Sequence, residues 1–230
     1  MAKSFMIAIT GGSGSGKTTL AWALHNRFGS DRSILVTEDN YYRPRAFYGP
    51  AALNMSNAEL EATFNFDDPA GKDMDHLRSD IEALRRGETI EQPIYNFPTH
   101  DRLNGEVKRI EARPIVIIEG IHVLSDVSFA PLFDLTVFVD APDDLRLIRR
   151  IRRDEAERGR SAESVIQQYL RFVRAAHTRF IEPAKHICDI VVACEEAQPD
   201  SDTAQGGDFV DRLVAPVWTQ LQKLGVAPRG

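Results

Sequence analysis

Eight consecutive residues near the start of the chain have the types and spacing to hold a polyphosphate. Gly11-Gly12-Ser13-Gly14-Ser15-Gly16-Lys17-Thr18 satisfies GxxxxGK[ST] at every fixed position. Glycines let backbone N–H groups converge on phosphate oxygens with no Cβ in the way. A helix starting at the end of the motif adds partial positive charge there. Lys17 would reach the β- and γ-phosphates, the Thr18 hydroxyl would ligate Mg²⁺, and Thr19 completes the cofactor-binding set. The competing reading is a chance glycine-rich turn, but an apolar strand before the motif and a helical pattern after it argue against that. The motif marks a nucleotide site and leaves the reaction open.

Three acids follow apolar runs: Asp39, Glu119 and Asp140. Ligands of open α/β sheets sit at the carboxyl ends of strands. Glu119 follows Ile115-Val116-Ile117-Ile118 and is the candidate to hold Mg²⁺ with Thr18, directly or through water. Asp39 is the candidate base for an attacking hydroxyl. For both, the bland alternative is a loop carboxylate capping a turn, and for Asp140 that alternative is preferred. Arg146, Arg149, Arg150 and Arg153 recur at helical spacing, and Arg158 and Arg160 flank Gly159. Like charges at i,i+4 repel by a few tenths of a kcal/mol, so a stripe of arginines on one face points to an external anion. The guanidinium fork suits phosphate. Opposite a phosphate loop, such a helix reads as an arginine lid over the transferring phosphoryl group, against the alternative of a solvated, ion-paired face.

These residues need a scaffold of strands and helices. Apolar runs at Phe5–Ile9, Ser33–Val36, Pro114–Ile118, Leu135–Val139 and Ile190–Val192 read as strands. Helical patterns alternate with them: Thr18–Phe28 ending at Gly29, Met74–Arg86 with Leu77, Ile81 and Leu84 on one face, and Asp143 to about Glu157. Ser56-Asn57-Ala58-Glu59 is a capping box opening a short helix to about Thr63. A long helix from about Ser161 toward Ile187 should kink at Pro183, and a last helix should span Phe209–Leu224 after a polar loop at 195–207. Two extended pieces, Thr89–Phe97 and Glu106–Ile110, with Asn104-Gly105 in the longer loop between them, read as a β-hairpin arm; Pro93 and Pro98 make it an edge element and not a central strand. The expectation is one α/β domain over 1–230, a P-loop NTPase-type three-layer fold with a mostly parallel central sheet, a β-hairpin arm at 88–112 and a helical arginine lid at 143–160.

With 230 residues the chain has the length of one domain, and its net charge of -6 argues against a general partner among nucleic acids or anionic membranes. An anionic ligand would need a local basic site. Cys188 and Cys194 match no zinc or redox spacing and read as reduced packing residues. With no signal-peptide core and no apolar run of membrane-spanning length, the expected location is cytoplasmic.

The ordered set of segments resembles the uridine kinase (uridine–cytidine kinase) family from about Phe5 to Val192. It comprises the phosphate loop; Glu38-Asp39-Asn40-Tyr41-Tyr42; Phe64-Asn65-Phe66-Asp67-Asp68-Pro69; Pro93-Ile94-Tyr95-Asn96-Phe97 with His100 and Arg102; Glu119-Gly120-Ile121; and Arg149 through Arg160, then Gln168-Tyr169. The resemblance implies ATP or GTP as donor, Mg²⁺, and a pyrimidine nucleoside as the small-molecule partner. It implies that Asp39 is the catalytic base for the ribose 5′-hydroxyl, that Asp67 binds the ribose hydroxyls, and that Tyr95 and His100 contact the pyrimidine. Arg150, Arg160 and Gln168 would be lid and substrate residues, with Lys17, Arg153 and Arg158 at the phosphates. A neutral His100 could donate or accept, which would suit uracil and cytosine alike. The resemblance further implies a homotetramer, with the arm as a possible contact, and feedback by CTP. The chain departs from the family's pattern at Asp68, where His is usual, and at Ala193-Cys194-Glu195-Glu196-Ala197, where Pro-Arg-Gly is usual.

Two other functions compete. A phosphoribulokinase-like kinase of another small hydroxyl acceptor would need an extra anion site. A nucleotide-binding regulator would carry DxxG after a strand and NKxD; the nearest DxxG is Asp68-Pro69-Ala70-Gly71, and NKxD is absent. A purely structural module would leave Lys17-Thr18 unexplained.

Overall fold

The structure is a computed structural model that describes residues 3–195 and 204–227. In chain order its main elements are β1 (Phe5–Thr10), α1 (Lys17–Phe28), β2 (Ser33–Thr37), α2 (Asn57–Thr63), α3 (Met74–Arg85), β3 (Ile90–Asn96), β4 (Asp101–Ile110), β5 (Ile115–Glu119), β6 (Leu135–Asp140), α4 (Asp143–Arg158), α5 (Ala162–Gln168), β7 (Ile190–Ala193) and a C-terminal helix (Ala204–Lys223). The five-stranded sheet has the order β2-β5-β1-β6-β7 with every pairing parallel.

The sheet is covered on both faces, which is why its strands are runs of apolar residues instead of alternating ones. In β1, Ile7 and Ile9 pack into one layer with Leu20 and Leu24 of α1 and Leu213 and Val217 of the C-terminal helix. Met6 and Ala8 point the other way, into a layer with Leu77, Ile81 and Leu84 of α3. This is the three-layer α/β architecture. Parallel strands share one carboxyl edge, so the ends of β1, β2, β5, β6 and β7 meet along a single rim.

The arm is a separate two-stranded antiparallel sheet of β3 and β4. Its turn is confined to Phe97–His100, the start of the expected longer loop, and leaves out Asn104-Gly105. The Asn96 side chain accepts from the Thr99 N–H, Pro98 sits inside the turn, and His100 closes it with φ 50°. Asn104-Gly105 falls inside β4, where pairing moves from Pro93↔Val107 to Tyr95↔Arg102. Gly105, at φ 74°, supplies the left-handed conformation for a bulge. The same residue signal therefore serves a bulge here in place of a turn.

The helix expected to run from about Ser161 to Ile187 ends earlier. After α5 it continues through wide π-type turns at Tyr169–Val173 and His177–Ile181, then gives way to a 3₁₀ segment at Glu182–His186. Pro183 lies in the first turn of that segment, where its missing N–H costs little, so it starts an element and does not kink one. The C-terminal helix begins at Ala204, inside the expected 195–207 loop; the rest of that loop lies largely outside the described residues. No helix among the described residues is long and apolar enough to cross a membrane.

The capping box is formed in full: the Ser56 hydroxyl accepts from the Glu59 N–H and the Glu59 carboxylate accepts from the Ser56 N–H at 2.7 Å. Ser56→Ala should cost about 1 kcal/mol of stability, read as a lower denaturation midpoint with an unchanged m-value in urea unfolding.

Candidate active site

The phosphate loop is shaped by close approach to its neighbours. A Cβ at Gly11 would run into the Val139 carbonyl, and one at Gly14 into the Arg146 carbonyl; both glycines have positive φ, at 142° and 79°. No side chain caps the start of α1 at Gly16, so the first-turn N–H groups of Lys17, Thr18 and Thr19 remain open to an anion. Gly12 is packed beneath the guanidinium of Arg146. Arg149 donates to the carbonyls of Gly14 (3.2 Å) and Ser15 (3.4 Å). Arg149 thus fastens α4 to the phosphate loop, and Arg146 packs on Gly12 while bonding the Ala141 carbonyl and Asp143, so the four arginines do not line up as one row.

Glu119, at the end of β5, accepts from the hydroxyls of Thr18 (3.1 Å) and Thr37 (2.8 Å). Burial pushes its carboxyl upward against the opposing charge of Lys17. A buried carboxylate beside a hydroxyl, at the mouth of a phosphate loop, is the oxygen-donor set that suits Mg²⁺ bridging to phosphates. The fit is therefore good for Thr18 and Glu119. Asp140 takes the bland role, paired with Lys185 at 2.6 Å.

Glu38 and Asp39 open a 3₁₀ turn directly after β2. Glu38 is fully buried under Gly120 and accepts from the His122 N–H at 2.8 Å. Lys72, also fully buried, places its ammonium 3.2 Å from Glu38 and 2.7 Å from Asp39, and 3.8 Å from the centre of the Tyr42 ring. Asp39 faces the cleft beside Lys17. Burial would raise its carboxyl pKa, but Lys72, Lys17 and Arg158 outweigh burial and hold it well below the ordinary carboxylate range.

Beyond the phosphate loop, these residues open onto a cleft of about 580 Å³ that runs from Ser13 and Lys17 to Tyr95 and His100. Asp67 is buried and accepts from Arg150 at 3.3 Å. One oxygen of Gln168 accepts from both Arg150 (2.8 Å) and Arg160 (2.7 Å). Tyr95 is held by its N–H donating to the Asn40 side chain and stacks on Tyr42, with ring centres 4.9 Å apart. His100 packs on Phe66 at 5.2 Å and contacts Glu61 at 2.9 Å. Phe97 lies under the Arg158 guanidinium at 4.2 Å. Arg153 and Arg158 both pair with Asp154, at 2.7 and 3.6 Å, and both line the cleft near Ser13 and Lys17. Asp39, Asp67, Tyr95, His100, Arg150, Arg153, Arg158, Arg160 and Gln168 therefore border one cavity, whereas Arg146 and Arg149 do not. Asp68 does not line it: its carboxylate accepts from the Ala70 N–H at 2.9 Å and caps the Pro69–Gly71 turn.

Sequence reasoning missed Lys72 and Glu61. A lone lysine in a loop and one acid on a short polar helix carry no local signal; only their partners, distant in the chain, give them meaning. Tyr42 and Phe66 stood within segments already singled out, three residues after Asp39 and directly before Asp67.

A family model described as the phosphoribulokinase/uridine kinase family matches residues 6–203. A uridine kinase of Geobacillus kaustophilus (strain HTA426) is 38% identical over 97% of this chain and 98% of its own length. A uridine kinase of Listeria monocytogenes serotype 4a (strain HCC23) is 43% identical over 83% of this chain and 87% of its own. Among solved structures, one titled a putative fructose transport system kinase from Silicibacter sp. TM1040 superposes with a TM-score of 0.67 at 19% identity, covering 83% of this chain and 90% of that one. That last likeness speaks for the fold alone.

Removing Lys72 would leave the Glu38 carboxylate buried without its counter-ion. Lys72→Met should therefore cost about 3–5 kcal/mol in chemical denaturation at neutral pH. Combining it with Glu38→Gln should recover part of that loss.

Proposed function

The chain belongs to the phosphoribulokinase/uridine kinase family, and from that premise we propose that it is a uridine kinase, moving the γ-phosphoryl group of ATP to the 5′-hydroxyl of uridine and of cytidine. The products, UMP and CMP, would serve pyrimidine salvage, in the cytoplasm and from a homo-oligomer. GTP is the other donor compatible with the phosphate loop, because Gly11 to Thr19 address phosphates and not the donor base.

One observation carries the choice of acceptor. The far end of the cleft is aromatic and its charges are paired internally. Arg150 is committed to Asp67, and Arg160 to Glu61 at 2.9 Å and to Gln168. Tyr95, Phe97, Phe66 and His100 supply flat surfaces. Such a site suits an uncharged planar base on a diol-bearing ribose. A sugar phosphate would need an uncommitted cation for its second phosphate, as the rival phosphoribulokinase-like reading requires. Asp68 in its turn-capping role also removes the one DxxG that a nucleotide-switch reading could use.

In this proposal Gly11–Gly16 and the first turn of α1 receive the triphosphate, and Lys17 bonds its β- and γ-oxygens. Thr18 and Glu119 would hold Mg²⁺, which when bound neutralises charge on the phosphates. Asp67 and Arg150 grip the ribose hydroxyls, leaving the 5′-hydroxyl toward Asp39. Asp39 is a weak base, held ionised by Lys72, so its main work is to accept the hydroxyl hydrogen and aim the oxygen; it takes the proton as the new P–O bond completes. A loose phosphoryl transfer needs little more from a base. Lys17, Arg153 and Arg158 donate to oxygens of the group in flight.

Asp39→Asn should lower kcat by about 10²- to 10⁴-fold while leaving ATP binding, followed by fluorescence titration, nearly unchanged; full retention of kcat would remove Asp39 from the chemistry. Because the folded-state pKa of Asp39 is depressed, it stays charged as pH falls toward the ordinary carboxylate value of about 3.9. The rate should therefore show no Asp39 limb between about pH 8 and about pH 5, and Lys72→Met should move an acidic limb upward into that range.

A further inference from the structure

Helix α2 touches the arm at two points on one face. Asn57 donates to the Pro98 carbonyl at 2.7 Å, and one turn later Glu61 meets His100 at 2.9 Å. The i,i+4 spacing puts both side chains on the same side. The other oxygen of Glu61 forms an ion pair with Arg160 at 2.9 Å, and Arg160 is held in turn by Gln168 at 2.7 Å and the Ser164 hydroxyl at 2.9 Å. Both carboxylate oxygens are therefore committed, and the Glu61, His100 and Arg160 side chains are only 12%, 15% and 9% exposed. The imidazole itself is fixed, by the φ 50° backbone at His100 and by packing on the Phe66 ring.

We infer that Glu61 is a specificity-determining positioning residue, which holds the His100 imidazole with Nε2 protonated and so presents Nδ1 to the base as an acceptor. The inference rests on the nucleoside-kinase reading given above. A carboxylate only accepts, so the hydrogen in the 2.9 Å contact belongs to Nε2. In the neutral ring the second nitrogen is then a lone pair. This alters the expectation that His100 is free to donate or accept. Uracil offers N3–H and an O4 acceptor, whereas cytosine offers an N4 amino donor and an N3 acceptor. A ring locked as an acceptor tells these edges apart; an unlocked ring does not. No base contact by Glu61 is needed, since it acts through His100 alone.

The test exploits an isosteric change. In Glu61→Gln, the amide oxygen can still accept from Arg160 while the amide nitrogen donates to His100 Nε2, which inverts the tautomer. The His100 nitrogen shifts of ¹⁵N-labelled full-length protein should report Nε2–H in the unmodified chain and Nδ1–H in Glu61→Gln, with the signals assigned by their loss in His100→Gln. The uridine-to-cytidine ratio of kcat/KM should change by about tenfold, the size of one hydrogen bond exchanged for a mismatch. The sign of the change identifies which edge atom Nδ1 reads. Glu61→Ala, which leaves the tautomer unconstrained, should bring the ratio closer to one. A purely structural role would scale both substrates equally. An unmoved ratio, or an unmodified chain in which His100 Nδ1 carries a proton, overturns the inference while the kinase reading stands; failure of the unmodified protein to phosphorylate any nucleoside overturns both.

Discussion

A single buried carboxylate organises the arginine-rich half of the site. Asp154 is fully buried near the end of α4, with Arg153 at 2.7 Å, Arg160 at 3.5 Å, Arg158 at 3.6 Å and Arg150 at 3.8 Å. Burial alone would raise its carboxyl pKa; Arg153, Arg158 and Arg150 outweigh that and lower it. A buried charge must be paired, and here the pairing gathers guanidinium groups that would otherwise repel one another. Gly159, in the left-handed conformation at φ 64°, turns the chain so that the Arg160 N–H reaches the Asp154 carbonyl. The cluster keeps a surplus of positive charge that one carboxylate cannot cancel, and Arg153 and Arg158 carry it toward the phosphate loop.

The two ends of the cleft follow from the same rule applied differently. At the donor end, cations exceed their anions beside an uncapped helix N-terminus. At the acceptor end, each cation has its own carboxylate: Lys72 with Glu38 and Asp39, Arg150 with Asp67, Arg160 with Glu61. The parallel sheet makes this possible, because β1, β2 and β5 deliver the phosphate loop, the Glu38-Asp39 pair and Glu119 to one rim. The arm is secured to that rim by Arg102, which donates to the carbonyls of Tyr42 (2.7 Å) and Tyr41 (3.1 Å). The aromatic surfaces are thus set at a defined place in the same cleft as Asp39, the residue proposed to orient the hydroxyl.

What could be read from the sequence was what local residue types dictate. The phosphate loop, the buried strands and the Ser56 capping box depend on neighbours within a few residues, and all form as expected. The hairpin loop was drawn too long because Asn104-Gly105 satisfies a bulge as readily as a loop, and only the register of β3 against β4 distinguishes them. The arginine periodicity gave the right helix but the wrong grouping. Spacing put Arg146, Arg149, Arg150 and Arg153 together, whereas Asp154 groups Arg150, Arg153, Arg158 and Arg160 and leaves Arg146 and Arg149 to the loop. Lys72 and Glu61 were invisible for a related reason. Their significance lies entirely in partners 33 to 99 positions away, such as Asp39, His100 and Arg160. Roles for Tyr95 and His100 came from family resemblance, since an isolated tyrosine on a hairpin or histidine in a loop carries no chemical signature of its own.

The central claim is that the cleft selects a neutral nucleoside and delivers its 5′-hydroxyl to a bound triphosphate. The most direct measurement is a competition: purified protein, MgATP and an equimolar mixture of uridine, cytidine and ribulose 5-phosphate, with products identified by ³¹P NMR and mass spectrometry. The account predicts nucleoside 5′-monophosphates forming in step with ADP, and no bisphosphate. Ribulose bisphosphate as the main product, or ADP released at the same rate with every acceptor omitted, would contradict it.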